Sequence, residues 1–295
     1  MVFMNISSIR DLLVAEKNVL VRADLEWPHS AEASSGRRLA THDIIEYLKI
    51  RGAERIKIIG HKGNIDQVLE LGVDINFDIR SDPREEANDE SLAQELSNGF
   101  DVYINEAFAT SHRLHCSIDA LPRLMKSQGK QVGVGLRFEK EIETLSKVTS
   151  DKVTSNKVVI IGGAKSADKE KQAKEFEKKG WIVLRGGLLP GVDLRPDGLD
   201  ISQSLISNFQ SLISNAQTIV VAGPMGKYEV APEGTKAVFT AVAKSKAYKI
   251  AGGGDTEAAL AKFGLLGKFD WISVGGGAML AYLSTGTLVG IDALA

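Results

Sequence analysis

Two lysines four residues apart, Lys165 and Lys169, follow a glycine pair at the end of an apolar run: Ile161-Gly-Gly-Ala-Lys-Ser-Ala-Asp-Lys169. A β-branched run that ends in glycines and passes into helical periodicity reads as a strand-to-helix loop. Their spacing puts both ammonium groups on one face of that helix, about 6 Å apart along its axis. They add to the positive end of its dipole. Such a loop can cradle phosphate oxygens, with Asp168 steadying one lysine; a solvated basic helix start is the plainer alternative. Four further glycine turns follow strand-like runs: Gly186-Gly187, Gly223 with Gly226, Gly252-Gly253-Gly254 and Gly275-Gly276-Gly277. Glycine lets the backbone take positive φ and lets a ligand come close, so these loops can offer helix N-termini to phosphates. Asp255, directly after one turn, is expected at or near a helix N-cap. Beside phosphates its carboxylate suits Mg²⁺. Neither a GxxxxGK[ST] loop nor a GxGxxG turn after a strand is present.

The first half carries a different chemistry. Arg22 and Asp24 end one strand-like run, His61 follows a second, and His112, Arg113 and His115 follow a third; Arg37 and Arg38 follow a flexible Ser-Ser-Gly loop, and Arg80 sits in Phe-Asp-Ile-Arg-Ser. Converging basic loops suit a ligand bearing a phosphate and a carboxylate. His112, His115 and Cys116 lie close enough in sequence to suggest zinc, but a zinc site needs three or four converging ligands and no second cluster is visible. Cys116 reads as a small buried hydrophobe.

The elements that must position these residues alternate along the chain. Strands are expected at Val19–Ala23, Arg55–Ile59, Val102–Asn105, Val158–Ile161, Trp181–Leu184, Thr218–Val221, Ala247–Ala251 and Trp271–Val274. Helices are expected at Arg37–Ile50, Ser91–Ser97, Leu136–Lys147, Lys165–Lys179, Ser202–Ser214, Thr235–Ser245, Thr256–Phe263 and Ala278–Leu283. Alternation of this kind implies an α/β fold of parallel sheets, with ligands at the carboxyl ends of the strands. The polar stretch between Ser146 and Lys157 marks a boundary, giving domains 1–148 and 149–284.

The 295 residues, 43% hydrophobic and 25% charged, suit two folded domains rather than a disordered chain. A net charge of −2 argues against a general binder of nucleic acid or membrane surfaces. A single cysteine permits no internal disulfide. No apolar run reaches the ~18 residues of a membrane span, and no signal peptide is read at the N-terminus. A cytoplasmic protein is expected.

Taken in order, these segments resemble the phosphoglycerate kinase family over nearly the whole chain. The resemblance is carried by Val19-Leu-Val-Arg-Ala-Asp24, Gly60-His-Lys-Gly63 and Asn105-Glu-Ala-Phe-Ala-Thr-Ser-His-Arg-Leu-His115. It continues through Gly162-Gly-Ala-Lys-Ser-Ala-Asp-Lys169, Gly223-Pro-Met-Gly226 to Glu229, Gly252-Gly-Gly-Asp-Thr256, Gly275-Gly-Gly-Ala278 and the closing Leu288-Val-Gly-Ile-Asp-Ala-Leu. It implies two doubly wound, Rossmann-like domains facing across a cleft, with the tail 285–295 packed back on the first. It also implies phosphoryl transfer from 1,3-bisphosphoglycerate to ADP, giving 3-phosphoglycerate and ATP, by a monomer with Mg²⁺. Arg22, Asp24, Arg37, His61, Arg80 and Arg113 would hold the phosphoglycerate. Gly163, Lys165, Lys169, Gly223, Glu229, Gly252, Gly253, Gly254, Asp255 and Thr256 would hold the nucleotide, Glu229 at the ribose and Asp255 at Mg²⁺. Arg37, Lys165, Lys169, Gly254 and Gly277 would surround the transferring group.

The resemblance breaks where Glu26 and Ala222 replace asparagines and Asn64 replaces an arginine. The chain is also shorter than the family between Ile59 and Phe77 and between Gly187 and Asp197. The second gap predicts a less selective base pocket. A nucleotide-binding homologue with impaired turnover is the alternative.

Overall fold

The computed structural model describes residues 6–26, 35–62, 72–76, 78–149, 156–164 and 167–295. The chain divides into two compact units, Met1–Thr144 with Thr287–Ala295, and Leu145–Gly286. Among the described residues no helix is long and apolar enough to cross a membrane.

In the first unit β1 (Asn18–Ala23), β2 (Arg55–Gly60), β3 (Asp74–Asn76), β4 (Val102–Asn105) and β5 (Gln131–Val134) form a sheet in the order β3-β2-β1-β4-β5. Every pairing is parallel. Val19 to Ala23 are all buried, as expected for a parallel strand covered on both faces. Val19, Val21 and Ala23 share one core with Ile44, Ile45 and Leu48 of the helix Ser35–Ile50. The chain leaves β1 to build one side of the sheet and returns through β4 to build the other. β1 is therefore the point where strand order reverses, and ligand sites in such sheets form there.

The second unit repeats the plan with β6 (Lys157–Ile161), β7 (Ile182–Arg185), β8 (Thr218–Ala222), β9 (Tyr248–Gly252) and β10 (Trp271–Ser273). Its order is β10-β9-β8-β6-β7, again parallel throughout, with the reversal at β6. Val158, Ile160, Ile219 and Val221 meet Phe209 and Phe239 of two covering helices, Gln203–Ser214 and Glu233–Lys244. Ser202 caps the first of these by accepting from the Leu205 amide at 3.1 Å.

Two strands escaped the sequence pattern. β3 is three residues long and runs Asp-Ile-Asn on an edge. β5 contains Gly133, where a Cβ would stand 2.6 Å from the Ser7 carbonyl. Close approach of the N-terminal segment, which bridges Ser8 to Val134, removes the side chain that would have signalled a strand. The helix Ala120–Ser127 was also missed: Pro122 reads as a breaker, but it stands in the first turn, where no amide is needed. The last residues lie with the first unit: Ile291 and Leu294 are buried, the Gly290 amide donates to the Ser111 carbonyl at 2.9 Å, and Lys126 Nζ donates to the Leu294 carbonyl at 3.2 Å.

Candidate functional site

At the β1 switch point Arg22, His61 and His115 gather around Glu85, a carboxylate that the sequence did not single out. Asp24, directly after β1, is held in place: its Oδ2 accepts from the Ala109 amide at 2.9 Å and its Oδ1 from the Thr110 hydroxyl at 3.3 Å. Arg22 is fully buried. Its Nε donates to Ser117 Oγ at 2.9 Å, Nη1 to the Ala23 carbonyl at 2.6 Å and Nη2 to Thr110 at 3.4 Å. The Ser117 hydroxyl donates onward to Glu85 Oε1 at 2.6 Å, and the Ser117 amide donates to Oε2 at 2.9 Å. Burial pushes the Glu85 carboxyl up, but the neighbouring His61, the Arg22 charge and the two Ser117 donors outweigh it and hold the group below its ordinary range.

His61, two residues beyond Ile59 of β2, is 2% exposed and stacks on His115, with ring centroids 4.9 Å apart. Burial drives the His115 imidazole down to about 4 against the pull of Glu85. The Arg80 amide donates to the His61 carbonyl at 2.9 Å, which brings that loop alongside, while the exposed Arg80 side chain pairs with Glu86 at 3.3 Å. Arg113 is exposed on the loop between His112 and His115. Arg37 opens toward the end of β1, donating from Nη1 to the Glu26 carbonyl at 2.9 Å. The nearby Cys116 is fully buried, as expected, and burial pushes its thiol up to about 12.

Glu85 had no sequence signal of its own. It stands beside Glu86 in one short turn of helix, Pro83–Glu86, and only the fold decides which of the two faces inward. Asn64 lies outside the described residues.

In the second unit the glycine loops after β6, β7, β8, β9 and β10 pack against their neighbours. A Cβ at Gly162 would stand 2.1 Å from the Pro224 carbonyl, one at Gly187 2.2 Å from the Gly163 carbonyl, and one at Gly276 2.7 Å from the Gly252 carbonyl. These glycines are therefore required by contact between loops, whatever the loops bind. Gly254 differs: among the described residues nothing lies within 4 Å of a Cβ there, at the first residue of the helix Gly254–Lys262. Gly253, at φ 98°, occupies the N-cap, and Asp255, expected at or near that cap, stands exposed two residues on, in the first turn. Gly277 opens the helix Gly276–Thr285, and its carbonyl accepts from Gln172 at 3.3 Å. Thr256 is buried, its hydroxyl bonded to the Gly223 amide and the Gly252 carbonyl.

Lys169 bends its ammonium back to the Gly162 carbonyl at 2.7 Å. Burial lowers its pKa, with Asp255 opposing. Lys165 lies outside the described residues.

A cavity of about 240 Å³ opens at this edge of the sheet, walled by Gly163, Pro224, Gly226, Glu229 and Asp255 among others. Leu188, Leu194 and Leu199 line it as well.

The family model for phosphoglycerate kinase matches residues 76–192 and 190–286. The phosphoglycerate kinase of Moorella thermoacetica is 28% identical over 393 positions, covering 97% of this chain and 98% of its own. That alignment exceeds the 295 residues here, so the relative carries segments with no counterpart in this chain. The phosphoglycerate kinase of Roseiflexus sp. is 32% identical over 279 positions, covering 73% of this chain and 69% of its own. Among solved structures, phosphoglycerate kinase from Pyrococcus horikoshii OT3 superposes with a TM-score of 0.78 at 23% identity, covering 97% of this chain and 98% of its own. That from Coxiella burnetii gives 0.75 at 22% identity, covering 98% of each chain. At these identities the two structures establish the fold.

Proposed function

The chain belongs to the phosphoglycerate kinase family, and from that premise we propose how its own residues carry out reversible phosphoryl transfer between 1,3-bisphosphoglycerate and ADP. The observation that carries the assignment to residues is the convergence, in the second unit, of Gly163, Glu229 and Asp255 from three separate loops on one cavity at the carboxyl edge of the sheet. An apolar wall of leucines at one side and the N-terminus of the helix Gly254–Lys262 suit a nucleotide laid with its base on the leucines and its phosphates on that N-terminus. Glu229, exposed on the rim, is positioned for the ribose hydroxyls. The Lys169 ammonium, together with Lys165, neutralises the phosphates.

An exposed carboxylate beside phosphates fits Mg²⁺, which keeps most of its waters and takes one or two carboxylates. Asp255 would hold it, and when bound the ion offsets phosphate charge.

In the first unit His61, Arg80 and Arg113 receive the phosphoglycerate. Arg37 stabilises the charge that spreads over the transferring group. Arg22 and Asp24 hold the loops: both side chains are tied to the segment 109–117. Direct transfer demands that donor and acceptor oxygens meet, so closure of the two units on their ligands is part of the proposal. The protein is proposed to act as a cytoplasmic monomer.

Mg²⁺-dependent ATP formation from 1,3-bisphosphoglycerate and ADP tests it. Arg37→Ala should cut kcat by roughly 10³-fold or more. Wild-type turnover no higher than a protein-free blank would refute the proposal.

A further inference from the structure

His61, Glu85 and His115 come from three separate segments, yet their ligand atoms lie within 4.8 Å of one another. His61 Nδ1 is 3.8 Å and His115 Nδ1 3.9 Å from Glu85 Oε1. Side-chain exposures are 2%, 0% and 12% for His61, Glu85 and His115. Both ring nitrogens of His61 and Nδ1 of His115 are buried with no hydrogen-bond partner among the described residues. Buried polar atoms are nearly always satisfied, so three orphaned imidazole nitrogens beside one carboxylate need an explanation.

We propose that His61, His115 and Glu85 form a binding site for one divalent transition cation of the zinc type. Two imidazole nitrogens and one carboxylate oxygen suit zinc or cobalt and do not suit Mg²⁺, which prefers oxygen alone. Tetrahedral coordination at bonds of about 2.0–2.1 Å sets neighbouring ligand atoms about 3.3 Å apart. The two observed nitrogen–oxygen separations need to close by only about half an ångström to reach it. The carboxylate is already oriented: Ser117 donates to both of its oxygens, and Arg22 in turn fixes Ser117. That is the supporting shell a metal ligand requires. The Arg22 charge opposes a cation, while Glu85 and the nearby Asp24 favour one. Three protein ligands leave a fourth position for water. His115, the most exposed of the three, is the route in.

The site is not the expected local one. Cys116 gives its thiol to the Asp89 carbonyl at 3.2 Å, and the group that faces His115 is Glu85. If His61 also contacts phosphoglycerate, as proposed above, cation and substrate compete; the site itself does not rest on that reading.

Chelator-treated protein titrated with Co²⁺ tests the site. One equivalent should develop visible absorption bands of a four- or five-coordinate ion, and Zn²⁺ should bleach them. His115→Gln and His61→Gln should each weaken Co²⁺ binding at least tenfold, and His42→Gln should leave it unchanged. Thermal melts of the metal-free variants check that they fold. Absence of bands in the wild type, or bands indifferent to both histidine variants, would overturn the proposal. Bands that respond as expected while Zn²⁺ leaves the KM for phosphoglycerate unchanged would uphold the cation site and count instead against His61 as a substrate contact.

Discussion

The Thr256 hydroxyl accepts the Gly223 amide at 2.7 Å, joining the loop after β8 to the loop after β9. It also donates to the Gly252 carbonyl at 2.9 Å. A buried hydroxyl used twice in this way fixes the spacing of two walls around the cavity.

Thr256→Val keeps the shape and removes both bonds, leaving the Gly223 amide unsatisfied. A loss of about 1–3 kcal/mol in folding stability is expected, read as a lower midpoint in urea unfolding. ADP should bind more weakly by calorimetry, since one loop is freed. Thr256→Ser should restore both measurements. An unchanged ADP affinity in the valine variant would show that the loop spacing is set elsewhere.

Glycine contacts make a second case. Gly187 has φ 61°, and a Cβ there would stand 2.2 Å from the Gly163 carbonyl; Gly191 has φ 77° with nothing within 4 Å. Gly191→Ala meets only the backbone penalty of the left-handed region, about 1 kcal/mol. Gly187→Ala meets that penalty and must also push the β6 loop away. It should be the more destabilising of the two in chemical denaturation, and only it should weaken ADP binding.

The contrast marks how much the sequence disclosed. Fold class and eight of the strands were legible because parallel strands buried on both faces read as continuous Val-Ile-Leu runs. The glycine loops were legible as loops, but their purpose was not. Gly162, Gly187 and Gly276 serve loop-to-loop contact, which only the folded neighbours reveal. Glu85 was silent for the same reason: His61, Glu85 and His115 are brought together by β2, a short helix and the loop after β4, and no local spacing encodes that. The leucines of the cavity wall were hidden because apolar residues in a short irregular segment have no period to read.

Buried Glu106 predicts a pH dependence. Its carboxylate oxygens accept from the Arg137 and Phe138 amides at 2.8 and 3.2 Å. Burial nevertheless pushes its pKa from the ordinary 4.5 up to about 8. A raised folded-state pKa means that the contribution is intact below pH 4.5 and is lost as pH rises toward 8, because the unfolded chain ionises first. Glu106→Gln cannot ionise. The stability of the variant relative to wild type should therefore rise across that interval, by on the order of a few kcal/mol. Urea midpoints measured for both proteins at pH 5, 6.5 and 8 supply the test, and parallel pH curves would reject the assignment.

The relay from Arg22 through Ser117 to Glu85 carries the last prediction. All three side chains are buried, and among the described residues the two charged ones share hydrogen bonds with the serine hydroxyl. Removing one member of such a set leaves a buried charge without compensation, about 3–5 kcal/mol for a direct pair and less here because the contact is relayed. Arg22→Met should therefore destabilise strongly, and Glu85→Gln moderately. The double variant should recover part of the loss, with a coupling of roughly 0.5–3 kcal/mol, because neither charge then remains alone. A surface arginine with only a ligand-binding duty would show additive, small effects on unfolding and a large effect on KM. The double-variant cycle in chemical denaturation thus decides whether Arg22 positions the loop that carries Thr110 and Ser117 or meets the substrate itself.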